Sequence, residues 1–270
     1  GADEETQHRI MQCALQEIQS LEGAHSPVAV ASKIQAMVSR ETQILDPYAS
    51  AKVSDNQKAL QCLPALYDIL ETSKDPLNLA LQIAAVGNIM DYGAFEQFDV
   101  SQLLDQLEDN DFAFSVRDDL EQQLSTAETL SYFADNSGEI VFDKLLIQYL
   151  IKRFSLKEVV LVVRSAPFLN DVCESDARSV GMHTIPQVTI LSLPISTEDH
   201  DPAKFESAVR KDVIIAKGMA NFENFNHRND FYFLFIAKCK LIANLLSQRT
   251  GKSISVGDQL LYHNPSPANS

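Results

Sequence analysis

TLSYFADNSGEIVFDKLLIQYLIKRFSLKEVVLVVRSA, Thr129 to Ala166, is the stretch on which the reading of the fold depends. Its first run, rich in aromatic residues, reads as a strand. From Gly138 to Arg153 apolar residues recur at helical spacing, and "EVVLVVRSA" is strand-like again. Strand, helix and strand in that order form a βαβ unit, whose two strands lie parallel. The alternation continues with a short helix after Asn170, then "QVTILSL", "DVIIAKG" and "FYFLFIAKC", the last flowing into a helical "KLIANLLSQRTG". "ISVGDQLLYH" reads as a closing strand pair and "NPSPANS" as a frayed tail. The second half is thus expected to be α/β with a parallel sheet.

Working outward toward the N-terminus, the pattern is helical up to about Thr126, with no strand-like run. "HRIMQCALQEIQSL" and "NQKALQCLPALYDIL" carry apolar residues three and four apart. "KDPLNLALQIAAVGNIMDYG" has Pro76 near its start and is apolar almost all round, which predicts a helix buried on several sides. "DVSQLLDQLEDNDFAF" and "SVRDDLEQQL" read as amphipathic helices with acidic outer faces.

The 270 residues are 45% hydrophobic, enough for a sizeable core in one large domain or two packed lobes. A net charge of −15 argues against nucleic acid or an anionic membrane as partner, since both demand excess Lys and Arg. Four scattered cysteines, Cys13, Cys62, Cys173 and Cys239, suggest neither a zinc knuckle nor a disulfide framework, and fit a reducing cytoplasm. No apolar run reaches the roughly 18 residues of a membrane span, and "GADEETQ" does not read as a signal peptide. The histidines show no HxxxH or HExxH spacing, and GxSxG, P-loop and GxGxxG patterns are absent.

In a doubly wound sheet ligands collect at the carboxyl ends of the strands. Four such places carry reactive side chains: Asp135 and Asn136, followed by Ser137, Gly138 and Glu139; Asn170 and Asp171; Lys217 and Gly218, followed by Asn221 and Glu223; and Lys238. Asp171 follows Asp135 by about one βαβ unit, which brings both acids to one sheet edge. Each place alone has a plainer reading. Asp-Asn-Ser-Gly is a good turn and N-cap, Asp171 suits a cap, Lys217-Gly218 is a common strand exit, and Lys238 could snorkel. Their recurrence at consecutive strand ends is what suggests a site, with oxygen ligands for a hard ion such as Mg or Mn and lysines for a phosphate. Asn88 and Asp91, one turn apart on an apolar helix, read either as a satisfied buried pair or as a lining of the cleft.

These residues resemble the domain of unknown function 89 family, the metal-dependent damage-control phosphatases, and in particular its stand-alone prokaryotic subfamily. The resemblance rests on "DPY" at Asp46–Tyr48, "DPLNLALQIAAVGNIMDYG" with its GNxxD pattern, "DNSGEIVFDKLL", "LNDVCESDA", "AKGMANFE" and "AKCKLIA", in the family's order. It implies a helical N-terminal lobe, residues 1–126, packed on a Rossmann-like three-layer α/β/α domain with a mostly parallel sheet, residues 127–270. It also implies a divalent metal (Mg, Mn, Co or Ni) on Asp135, Asn136 and Asp171. Substrate phosphate would lie on Lys217, Gly218, Asn221 and Lys238, with Glu139 near the substrate and Asn88 and Asp91 at the cleft mouth. Asp171 or Glu139 would orient the attacking water, and Lys217 and Lys238 would offset charge on the phosphate. Two departures stand out: only Cys13 lies near the start where relatives often carry paired cysteines, and Arg164-Ser165 replaces the Lys-Gly of many relatives. The implied activity is hydrolysis of a small phosphorylated metabolite, a sugar phosphate or phosphopantetheine-like phosphomonoester. Its rivals are an S-adenosylmethionine-dependent methyltransferase and a non-catalytic phosphometabolite-binding protein. No sequence feature specifies an oligomeric state.

Overall fold

A computed structural model describes residues 3–20, 27–87, 107, 111–194, 202–209 and 211–264. Helices α1 (Glu4–Ser20) and α2 (Pro27–Thr42) pack against each other, and α3 (Ala49–Thr72) and α4 (Pro76–Val86) follow. Helix α4 starts where local chemistry dictates: Asp75 caps it through a 3.2 Å bond from Asn78 N–H, with Pro76 in the first turn. As its all-round apolar pattern predicts, it buries Leu77, Leu81, Ile83 and Val86 together with three alanines.

Then come β1 (Phe114–Ser115), α5 (Arg117–Leu124), β2 (Thr129–Phe133), α6 (Glu139–Phe154), β3 (Glu158–Arg164), α7 (Glu174–Ser179) and a single 3-10 turn at Met182–Thr184. The chain continues through β4 (Val188–Leu193), α8 (Pro202–Val209), β5 (Val213–Lys217), α9 (Met219–Phe225), β6 (Tyr232–Ile236), α10 (Lys240–Thr250) and β7 (Gln259–His263). The seven strands form one sheet in the order β1-β7-β6-β5-β2-β3-β4. Every pairing is parallel except β6 with β7.

Both faces of the sheet are covered, and the strands show it by strict alternation. Leu130, Tyr132, Val159, Leu161, Val163 and Ile215 point into one core with α3, α4, α6 and α7. Phe133, Val160, Val162, Ile214, Ala216, Phe233 and Phe235 point into the other, with α8, α9 and α10. The first core is continuous from Leu66 and Ile83 of the N-terminal helices to Phe142 and Leu146 of α6 and to the sheet. The architecture is thus three-layered, with N-terminal helices packed directly on one face.

Two local expectations change. A strand does occur before Thr126: Phe114 and Ser115 pair in parallel with Leu260 and Leu261, a strand too short to leave a period in the sequence. The C-terminal stretch holds one strand rather than two. Ser255 and Gly257 instead form a turn in which Gly257 N–H bonds the Ala237 carbonyl and Ser255 N–H bonds Asp258 Oδ2. Most of "DVSQLLDQLEDNDFAF" lies outside the described residues. No helix among the described residues is long and apolar enough to cross a membrane.

Candidate active site

Strand order makes the site. The chain leaves β2 toward β3 and β4, then returns to β5 on the other side of β2, so the loops after β2 and β5 diverge and open a crevice at their carboxyl ends. Asp135, Asn136 and Lys217 stand at this switch point, flanked by Arg164 at the end of β3, Asp171 in the loop that follows it, and Lys238 after β6.

The loops are locked by backbone bonds before any side chain acts. Val172 N–H bonds the Asp135 carbonyl and Ser137 N–H bonds that of Asn170, both at 2.9 Å, so Asn136 and Asp171 form an antiparallel bridge. The capping reading then fails for both acids. The N-cap of α6 is Gly138, with no side-chain cap, and that of α7 is Cys173. None of Asp135, Asn136 and Asp171 is an N-cap residue, although the Asn136 carbonyl accepts the Ile140 N–H at 3.2 Å, and the three are only 5%, 4% and 5% exposed.

Their environment is crowded with charge. Asn136 Nδ2 donates to Asp135 Oδ2 at 3.2 Å and to Glu139 Oε1 at 2.9 Å. Arg164 Nε donates to Asp171 Oδ2 at 2.7 Å, and its Nη2 to Asn221 Oδ1 at 3.3 Å. Burial, reinforced by the Glu139 and Asp171 carboxylates, pushes the Asp135 carboxyl well above its usual range, while Lys238 and Arg164 pull it back. Burial likewise drives Glu139 up to about 7 against the pull of Lys217. Lys238, half-buried, bears electrostatically on both acids.

Three residues expected to meet phosphate have internal work. The Lys217 ammonium has three N–H groups, and three acceptors meet it: the Ala84 carbonyl at 2.7 Å, Asp143 Oδ1 at 2.9 Å and Glu139 Oε2 at 3.3 Å. Burial works to strip its proton, but Asp143 and Glu139 outweigh that and hold it charged. Asn221 ties β2 to β5 by donating to the Ala134 and Lys217 carbonyls, at 3.1 and 2.8 Å. Gly218 supplies space: at φ +81° its backbone passes so close to Asp135 that a Cβ would fall 1.9 Å from Oδ2.

Asp143, whose Oδ1 also accepts from the Tyr132 hydroxyl at 2.7 Å, was legible as a neighbour of Glu139, four residues on along α6. Lys52 and Asn56 of α3 carried no such signal. They reach the site from an element far away in sequence. Among the described residues the buried Ser137 Oγ and Asp143 Oδ2 find no hydrogen-bond partner, and no three His, Cys, Asp or Glu side chains converge as a metal cluster. The donor set is instead carboxylates with an amide. Asn88 and Asp91 lie outside the described residues. A groove of about 910 Å³ lined by Tyr67, Leu145, Gln148, Tyr149 and Arg153 lies toward the other end of α6 and lacks this constellation.

Comparison with known proteins converges on one group. The model of the damage-control phosphatase ARMT1-like domain matches residues 1–254. A damage-control phosphatase of Archaeoglobus fulgidus is 29% identical over 84% of this chain and 81% of its own. One of Pyrococcus horikoshii is 29% identical over 76% and 72%. An uncharacterized protein of Methanocaldococcus jannaschii is 27% identical over 96% and 87%. The crystal structure of a DUF89 family protein from Pyrococcus horikoshii superposes with a TM-score of 0.83 at 23% identity, covering 98% of this chain and 92% of that one, which establishes the shared fold.

Proposed function

The chain belongs to the damage-control phosphatase ARMT1-like family, and from that premise we propose that it hydrolyses a phosphomonoester of a small metabolite, such as a sugar phosphate or a phosphopantetheine-like compound, with a divalent ion (Mg, Mn, Co or Ni). The observation that carries the reading is the buried trio Asp135, Asn136 and Asp171 at a sheet switch point, with Asn136 bridged to Asp171 and none of the three at an N-cap position. The donor chemistry fits a hard cation. Oxygen donors lie close together, and the repulsion that Glu139 and Asp171 exert on Asp135 is what a divalent charge would relieve.

Held by Asp135, Asn136 and Asp171, such an ion would polarise a phosphoryl oxygen and acidify a bound water. The protein's own groups do the rest. Arg164 holds Asp171 in place through Oδ2. Glu139, with Oε1 fixed by Asn136 and Oε2 by Lys217, takes the proton of the attacking water. Lys238 offsets charge on the phosphate oxygens as the ester bond breaks. Lys217 contributes by orienting Glu139 rather than by touching substrate.

The test is phosphate release from a panel of sugar and cofactor phosphates, with each metal and with chelator. Metal-dependent turnover is expected, with Asp171→Ala slower by about 100-fold or more. Binding without turnover under every metal would leave the non-catalytic reading, and methyl transfer from labelled S-adenosylmethionine the other rival.

A further inference from the structure

Helix α3 touches both loops of the proposed metal site, through two side chains one turn apart on one face. Lys52 is fully buried, and its ammonium pairs with Asp46 Oδ2 at 3.1 Å and Asp176 Oδ2 at 3.0 Å. Asp176 Oδ2 in turn accepts the Cys173 N–H at 2.9 Å, two residues beyond Asp171. Four residues along the helix, Asn56, 3% exposed, receives the Gly138 N–H on its Oδ1 at 2.6 Å, two residues beyond Asn136. Gly138 is in the left-handed region, φ +83°, and a Cβ there would stand 3.3 Å from Asp55 Cβ, so its backbone lies directly against α3.

We propose that Lys52 and Asn56 are positioning residues: α3 is a rigid ruler that sets the Asp135-Asn136 loop against the Asp171 loop. Positions i and i+4 on a helix hold a fixed separation of about one turn, close to 6 Å. Asn56 at one end, and Lys52 through the Asp176 carboxylate at the other, transfer that separation to the two loops. Asn56 acts directly on the backbone that carries Asn136, and Lys52 acts on the backbone that carries Asp171 by way of Asp176. The consequence is that the N-terminal helices help define the site geometry instead of only covering it.

The inference rests on the metal reading of the strand ends, so the test has two independent readouts. The first is hydrogen exchange in metal-free full-length protein, followed in peptides containing Ser137 and Val172, whose amides form the inter-loop bonds. The second is Mn²⁺ affinity by isothermal titration. Lys52→Met strands two carboxylates and risks unfolding, so Asn56→Leu carries the decision, with Asn56→Asp as the variant that keeps the acceptor. Asn56→Leu should speed exchange at both amides by about tenfold, leave Leu161 and Ile215 in the sheet protected, and weaken Mn²⁺ by about 10- to 100-fold, as loss of a supporting partner does. Asn56→Asp should restore both to within about threefold. Parent-like exchange at Ser137 and Val172 overturns the inference, whatever the metal does. So does unchanged Mn²⁺ affinity in a protein whose parent binds it. A parent that binds no Mn²⁺ overturns the metal reading instead, and exchange then decides the role of α3 by itself.

Discussion

At the scale of single residues, Lys217 shows that a place at a strand end does not fix the direction in which a charge is turned. A lysine before a glycine at a strand end suggests a phosphate ligand, yet its charge is turned inward and neutralises Glu139 and Asp143, two fully buried carboxylates. Removing one partner of a buried ionic network leaves the others uncompensated, which costs about 3–5 kcal/mol. Lys217→Met should therefore lower unfolding stability by about that amount in urea titrations of metal-free protein. Lys217→Met with Asp143→Asn should recover part of the loss, since the second change removes a charge that the first leaves stranded. Equal stability of the single and double variants would separate Asp143 from the network. Gly218 illustrates the complementary case, in which the absent side chain makes room for Asp135 Oδ2.

At the scale of elements, the parallel strands β2 and β5 must be aligned at their starts if their ends are to meet at the site. Asp212 does this just ahead of β5. Its Oδ2 accepts the Glu128 N–H, the Thr129 N–H and the Thr129 hydroxyl, each at 2.9 Å. The Glu128 amide bond is the foremost of the contacts that hold its carboxyl below the usual aspartate range. A carboxyl depressed in the folded state adds stability that is complete above its unfolded value and disappears as pH falls through the folded one. Asp212→Ala should cost about 1–2 kcal/mol near neutral pH from the lost hydrogen bonds. The difference from the parent should shrink below about pH 4. Urea midpoints between acid and neutral pH check this; a difference that grows toward acid would mean that the charged form is not the stabilising one.

At the scale of the whole molecule, the first core runs without interruption from the N-terminal helices into the sheet, so anything that ties the strand-end loops should stabilise the protein as a unit. A divalent ion at 100 times its dissociation constant adds about 2.7 kcal/mol. For a chain of this size that is a rise in Tm of about 5 °C or more. Mn²⁺ should produce this shift in the parent and not in Asp135→Asn, measured by differential scanning fluorimetry. A shift of the same size in both proteins would move the ion away from the strand ends.

Much of this was readable from the chain alone, for a physical reason. The alternation in Val159–Val163 and Tyr232–Phe235 and the helical spacing in Glu139–Phe154 are local periods, and local periods determine elements; a βαβ order then leaves a parallel sheet. The strand ends likewise marked Asp135, Asn136, Glu139 and Asp171 as neighbours. What an element order does not contain is the direction of a side chain or the contact of a distant helix. Only the tertiary structure decided that Lys217 faces inward to Asp143, that Asn221 ties Ala134 to Lys217, that Phe114 and Ser115 join β7, and that Lys52 and Asn56 of α3 grip both loops. Each of these joins residues brought together by packing, and packing is settled by the chain as a whole.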